Sequence, residues 1–151
     1  MAVILWLTVG TAATLGQTTD MFGKDLVGVW EATKEVDCTT GEPVVPFLNV
    51  TQTFHYGGTT YVEDTLSIDR YRTTGSGVWK RTGAHTYSYG FFHYGFDSTG
   101  LFTYTVKGRS NLRLSRDANS YTERGSYDIA LPDGTVIMSA CFAGSSRRMA
   151  F

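Results

Sequence analysis

Two short runs hold the residue types that could do chemistry. The first is "TYSYGFFHYGF", where Tyr87, Tyr89, Phe91 and His93 alternate onto one face of an extended chain. A histidine inside an aromatic cavity can serve as a general base, a haem ligand or a hydrogen-bonding handle for a small molecule. Turned outward, the same four residues make only a surface stripe. The second is "SYTERGSYDIAL", where Tyr121, Glu123, Gly125, Tyr127, Ile129 and Leu131 share a mostly apolar face. That company places Glu123 among inward positions. A buried carboxylate must find a partner or take up a proton at higher pH than usual. Arg109 and Arg113 are the candidate partners, which would make Glu123 half of a structural salt bridge. Glu63, which shares a face with Tyr61, is expected to be similarly placed. His55 and His85 fall near the ends of strands, at a rim.

Other chemistry is absent from the pattern. No His-Glu-x-x-His, Cys-x-x-Cys or phosphate-binding glycine loop occurs. The three histidines lie far apart in sequence, so no metal and no cofactor are expected. Formal net charge is −1 over 151 residues, which offers no overall basic field to nucleic acid.

The elements that must carry these residues read as strands. β-Branched and aromatic runs alternate with turn signals, and no convincing helical period follows the N-terminal segment. The expected strands are 26–36, 47–55, 59–67, 77–81, 85–96, 101–115, 120–131 and 135–149. Short turns such as Gly57-Gly58 and Pro132-Asp133-Gly134 join most of them. Eight strands in a meander leave two unpaired edges, and pairing the last strand with the first removes both. The expected fold is all-β: an eight-stranded antiparallel up-and-down barrel over residues 26–151. Eight strands also leave room for side chains or one small ligand. A two-sheet sandwich is the alternative.

Gly-Val-Trp occurs twice, at Gly28-Val29-Trp30 and Gly77-Val78-Trp79. Gly28 and Trp30 share a face, and the indole N–H needs an acceptor if buried. In a closed barrel the start of the first strand lies beside Arg147 and Arg148, either of which could stack on the indole. A Gly-x-Trp opening the first strand, with an arginine near the end of the last, resembles the lipocalins and the wider calycin group. The resemblance spans most of residues 26–149 and implies a barrel that holds a ligand. The turn "SRDANSY" lacks the lipocalin Thr-Asp-Tyr, and no helix follows the last strand. The second copy either closes the opposite side of the same floor or reflects strand propensity alone.

Residues 1–16, apolar and then small, fit a secretory signal, although no Lys or Arg precedes the apolar run. Residues 17–25 would lead into the barrel. The segment is too short to span a bilayer comfortably, so no stable membrane span is expected. Two cysteines in an exported chain point to one disulfide, Cys38–Cys141. The expected function is a secreted or periplasmic barrel that binds a small hydrophobic molecule. Trp79, Tyr89, Phe91, Tyr104, Tyr121 and Phe142 would line the cavity, with His93 and Glu123 as polar handles. The alternatives are a cyclase- or isomerase-type enzyme using the same two groups, and a filled barrel acting as a structural or interaction module.

Overall fold

The computed structural model describes residues 24–43, 49–65 and 71–150. The signal-like residues 1–16 and most of the 17–25 lead-in lie outside the described residues. A single 3-10 turn, Lys24–Leu26, enters the first of eight strands: β1 Gly28–Asp37, β2 Val50–Phe54, β3 Thr59–Asp64, β4 Gly75–Arg81, β5 Thr86–Phe96, β6 Phe102–Leu114, β7 Ser120–Ala130 and β8 Val136–Arg148. Each pairs antiparallel with the next, and β8 pairs back with β1, closing the barrel.

Closure is what alternation demands. On β5, Tyr87, Tyr89, His93 and Gly95 are buried, while Thr86, Phe92 and Tyr94 are exposed. β6 buries Val106, Ser110, Leu112 and Leu114 and exposes Lys107, Arg109, Asn111 and Arg113. Period-2 burial of this kind, repeated around the ring, defines one interior.

The two ends differ. The end at the start of β1 is a filled floor, where Leu26, Trp30, Phe54, Trp79, Tyr87, Tyr89, Leu112, Leu114 and Tyr121 form one cluster. Rings meet edge-on or tilted there: Phe54 touches Trp79, Tyr89 and Tyr121 at 5.8, 5.7 and 6.3 Å between centroids. Trp30 meets Tyr121 at 5.0 Å. Both tryptophans of the Gly-Val-Trp copies therefore sit in the same floor, on different strands. Trp30 Nε1 donates to Leu26 O at 3.0 Å, and Trp79 Nε1 donates to Thr59 O at 2.9 Å and His55 O at 3.1 Å.

Of the two terminal arginines, Arg148 is the one at the floor. Its guanidinium carbon lies 4.3 Å from the Trp30 ring centroid. It donates to Val27 O at 2.7 Å, to Ala118 O at 2.9 Å and to Asp25 O. Arg147 alternates outward, is exposed, and pairs across the seam with Glu31. Gly28 makes room for the guanidinium. A Cβ at Gly28 would fall 2.5 Å from Arg148 Nη1, and its φ of +143° disfavours any side chain.

Other interior glycines face rings. Phe91 lies over its cross-strand partner Gly108, and Phe142 over Gly125, each occupying the place of a Cβ. Gly77 has a different reason: a Cβ there would overlap the Gly90 carbonyl on β5.

Cys38 and Cys141 form the disulfide, with Cα atoms 5.5 Å apart and 103 residues between them in sequence. It joins the turn after β1 to β8 near the end opposite the floor. Glu63 differs from its inward expectation. It alternates with buried Val62, is exposed, and accepts from Thr74 Oγ1 at 3.0 Å. Tyr61, on the same face, is also exposed, so the pair belongs to the outside of β3.

Two stability changes follow. Trp30→Ala is expected to cost about 3–5 kcal/mol, as for other buried aromatics. A loss below about 1 kcal/mol in urea melts would remove Trp30 from the floor. The Cys38→Ser/Cys141→Ser variant is expected to lose about 2–5 kcal/mol relative to the oxidised protein, read by the same melts.

Candidate functional site

Above the floor, the interior becomes polar. Glu123 on β7 points inward, accepting from Tyr89 Oη at 2.5 Å and Ser110 Oγ at 2.9 Å. Arg109 and Arg113 are not its partners. They occupy odd positions of β6, whose even positions face inward, so both stand on the outer surface. Ser110 on the same strand takes that role, and its place in register with Leu112 and Leu114 was a usable sign. Burial raises the Glu123 carboxyl above its usual range, with the two hydrogen bonds acting in the opposite direction. The Tyr89 phenol is held well above its ordinary value by burial and by the Glu123 charge, so it stays a donor.

A second chain of polar groups crosses the floor. Tyr121 Oη donates to Gln52 Oε1 at 2.9 Å, Gln52 Nε2 to Thr60 Oγ1 at 3.4 Å, and Thr60 Oγ1 to Thr53 O at 2.8 Å. Each buried hydroxyl or amide in it has a protein partner, which suits a structural network.

His93 lies further along β5, toward the open end. It is buried, edge-on to Phe91 at 5.5 Å between centroids, and faces Gly75, where a Cβ would collide with the imidazole. Its Nδ1 is 2.9 Å from Thr73 O. A carbonyl can only accept, so Nδ1 carries the proton and Nε2 of the neutral ring keeps its lone pair. Burial lowers the His93 pKa, against the Thr73 hydrogen bond, favouring this neutral form.

The open end holds a recess of about 300 Å³, lined by Arg72, Tyr104, Val106, Ile129 and Ile137. All five belong to one end of the barrel: the start of β6, the end of β7, the start of β8, and the residue that bridges to Gly95 at the end of β5. Arg72 forms a nearly buried ion pair with Asp64, and its buried Nε has no hydrogen-bond partner. Exposed Leu101, Leu131, Val136, Ile137 and Met138 surround this end. Residues 44–48 and 66–70 lie outside the described residues.

The expected site residues thus divide. Tyr104 lines the recess. Trp79, Tyr89 and Tyr121 pack into the floor, and Glu123 bonds beside them. Phe91, His93 and Phe142 stand between, facing inward. Sequence reasoning did not single out Arg72, Val106 or Ile137. Arg72 sits in a polar connection with no periodicity to place it. Val106 and Ile129, by contrast, share the inward parity of their strands. His85 is exposed in the turn before β5. His55 follows β2 and meets Tyr61 edge-on at 5.2 Å.

Among the described residues, no cluster of three His, Cys, Asp or Glu could hold a metal, and no helix is long and apolar enough to cross a membrane. Comparison with protein-family models, curated proteins and solved structures finds no match.

The Glu123 environment has a pH signature. The folded pKa is raised, so protonation stabilises the native state. That contribution is complete below the unfolded pKa and is lost as pH rises through the folded one. Glu123→Gln keeps an acceptor for Tyr89 and removes the titration. Its melting temperature relative to wild type should therefore rise as pH goes from about 4 to 8. A difference that stays flat or falls over that range would contradict the raised acidity.

Proposed function

We propose that this protein is an exported barrel that holds a small, mostly apolar molecule in the recess at its open end. The observation that carries the reading is the recess itself. Its volume lies at the lower bound of small-molecule sites, and its walls are Tyr104, Val106, Ile129 and Ile137 with one cation, Arg72. The apolar rim gives such a molecule a favourable approach. Arg72, the one cation among the lining residues, favours a ligand with an acceptor or acidic group at one end.

Export is part of the same proposal. The disulfide supports it, since such bonds persist in oxidising compartments. Residues 1–16 would then act as the leader, 17–25 as the lead-in, and the protein would work outside the cell or in a periplasm. The likeness to the calycin group draws support from Gly28, Trp30 and Arg148, which meet in the floor of a closed eight-stranded barrel. Fold likeness alone does not fix a function.

The enzyme reading rests on Glu123 and His93, the first bonded to Tyr89 and Ser110 and the second to Thr73 O. Neither lines the recess, so a substrate held there would not touch them. The filled-barrel reading describes the floor half of the interior and not the open end.

Two measurements test the binder reading. Native mass spectrometry of protein isolated from its source should show a bound small molecule, returned chemically unchanged. In vitro, 1-anilinonaphthalene-8-sulfonate, apolar with one anionic group, should bind with enhanced fluorescence. Ile129→Trp, which fills the recess, should abolish that signal without loss of the folded melt. Equal binding by the filled variant, or no binding by the wild type, would overturn the proposal.

A further inference from the structure

The formal net charge of −1 conceals a strong separation of charge. The outward positions of β4 to β7 carry Lys80, Lys107, Arg109, Arg113 and Arg124, all exposed, and one carboxylate, Asp128. With these set aside, the 13 basic and 14 acidic residues of the chain leave eight basic and thirteen acidic elsewhere. One outer face is therefore cationic on an otherwise acidic molecule. Among the described residues, none of the five cations takes part in an ion pair.

This face also has a shape. A trough of about 350 Å³ runs across it, lined by Ser88, Tyr89, Arg109, Ser110, Asn111, Arg124, Gly125 and Ser126. Tyr89, Ser110 and Gly125 form one rung of the sheet whose side-chain positions turn inward, so their backbones make the base. Ser88, Asn111 and Arg124, the next rung, make one wall. Arg109 and Ser126 make the other, opposite Gly90, which adds no side chain. Arg109 and Arg124 are diagonal neighbours across β6 and β7, about 7–8 Å apart at their backbones. Like charges at that distance repel, and an anion lying between them relieves the repulsion. Arg124 Nη2 also reaches Cys38 O at 3.4 Å, which ties that wall to the turn after β1.

We propose that the outer face of β4–β7 is a docking surface for an anionic polysaccharide, with one sulfate or carboxylate seated in the trough between Arg109 and Arg124. Guanidinium groups match carboxylate, sulfate and phosphate oxygens alike in pairs of hydrogen bonds, and two observations choose a polysaccharide among the polyanions. The residues between them are Ser88, Asn111 and Ser126, whose hydroxyls and amide suit sugar hydroxyls. The trough has no outward aromatic ring on which a nucleic-acid base could stack; Phe92 and Tyr94 lie further along β5. The surface faces away from the interior recess, so it is independent of whatever the barrel holds.

The test uses the oxidised full-length protein and a fluorescein-labelled heparin oligosaccharide, with binding read by anisotropy. Wild type should bind it, and affinity should fall steeply as salt rises from about 50 to 200 mM. Arg109→Ala/Arg124→Ala should weaken binding by about tenfold or more at an unchanged melting temperature. Arg147→Ala, an exposed arginine beside Glu31, should leave it unchanged. The proposal fails if wild type does not bind near 150 mM salt, or if the double variant binds like wild type. It fails equally if an oligothymidylate of matched charge binds as tightly or more tightly than the heparin fragment, which would assign the face to single-stranded nucleic acid.

Discussion

One guanidinium holds the barrel floor together. Arg148 donates to three carbonyls in two separate segments: Asp25 and Val27 at the entry to β1, and Ala118 in the β6–β7 turn. Its plane also rests on Trp30. The Val27 and Ala118 carbonyls are partly buried, where the loss of a partner costs about 1–3 kcal/mol, whereas the Asp25 carbonyl lies on the exposed side. A lysine could supply the charge but not three directed donors on a flat, stackable group. The position of β8 against β1, and so the closure of the whole sheet, is referenced to this contact.

From the floor upward, the interior is shaped by what glycine leaves out. Eight strands enclose little volume, and aromatic rings from neighbouring strands compete for it. Phe91 over Gly108 and Phe142 over Gly125 resolve the competition by placing each ring over the bare backbone of the neighbouring strand. Gly75 does the same for the His93 imidazole. These choices let large side chains coexist with a recess at the open end instead of filling it.

The sequence made the architecture readable because burial alternates so regularly. All eight strands fall where alternation and turn residues place them, within three residues at each end. The disulfide and the arginine–tryptophan contact followed from closure, since both bridge β1 to β8. The site was harder to read. Parity correctly puts Glu123 inside, but it cannot say which cross-strand side chain reaches it, and the answer was Tyr89 and Ser110 in place of an arginine. Aromatic content suggested a lined cavity, yet three of the six expected rings, Trp79, Tyr89 and Tyr121, pack into the floor. Net charge was silent on the cationic outer face for a simpler reason: a sum over 151 residues carries no information about which face each charge occupies.

The seam between β1 and β8 sets the order in which the chain can assemble. Seven of the eight strand junctions join neighbours in sequence and need only a hairpin to form. The eighth must bring together residues more than a hundred positions apart, a loop-closure cost met only after the meander exists. Cys38 and Cys141 lie beside that junction. Their oxidation is therefore coupled to the last and most entropically demanding step. Once made, the bond keeps the two ends of the meander from drifting apart, so a chain that opens locally recloses along the same edge without searching for it again.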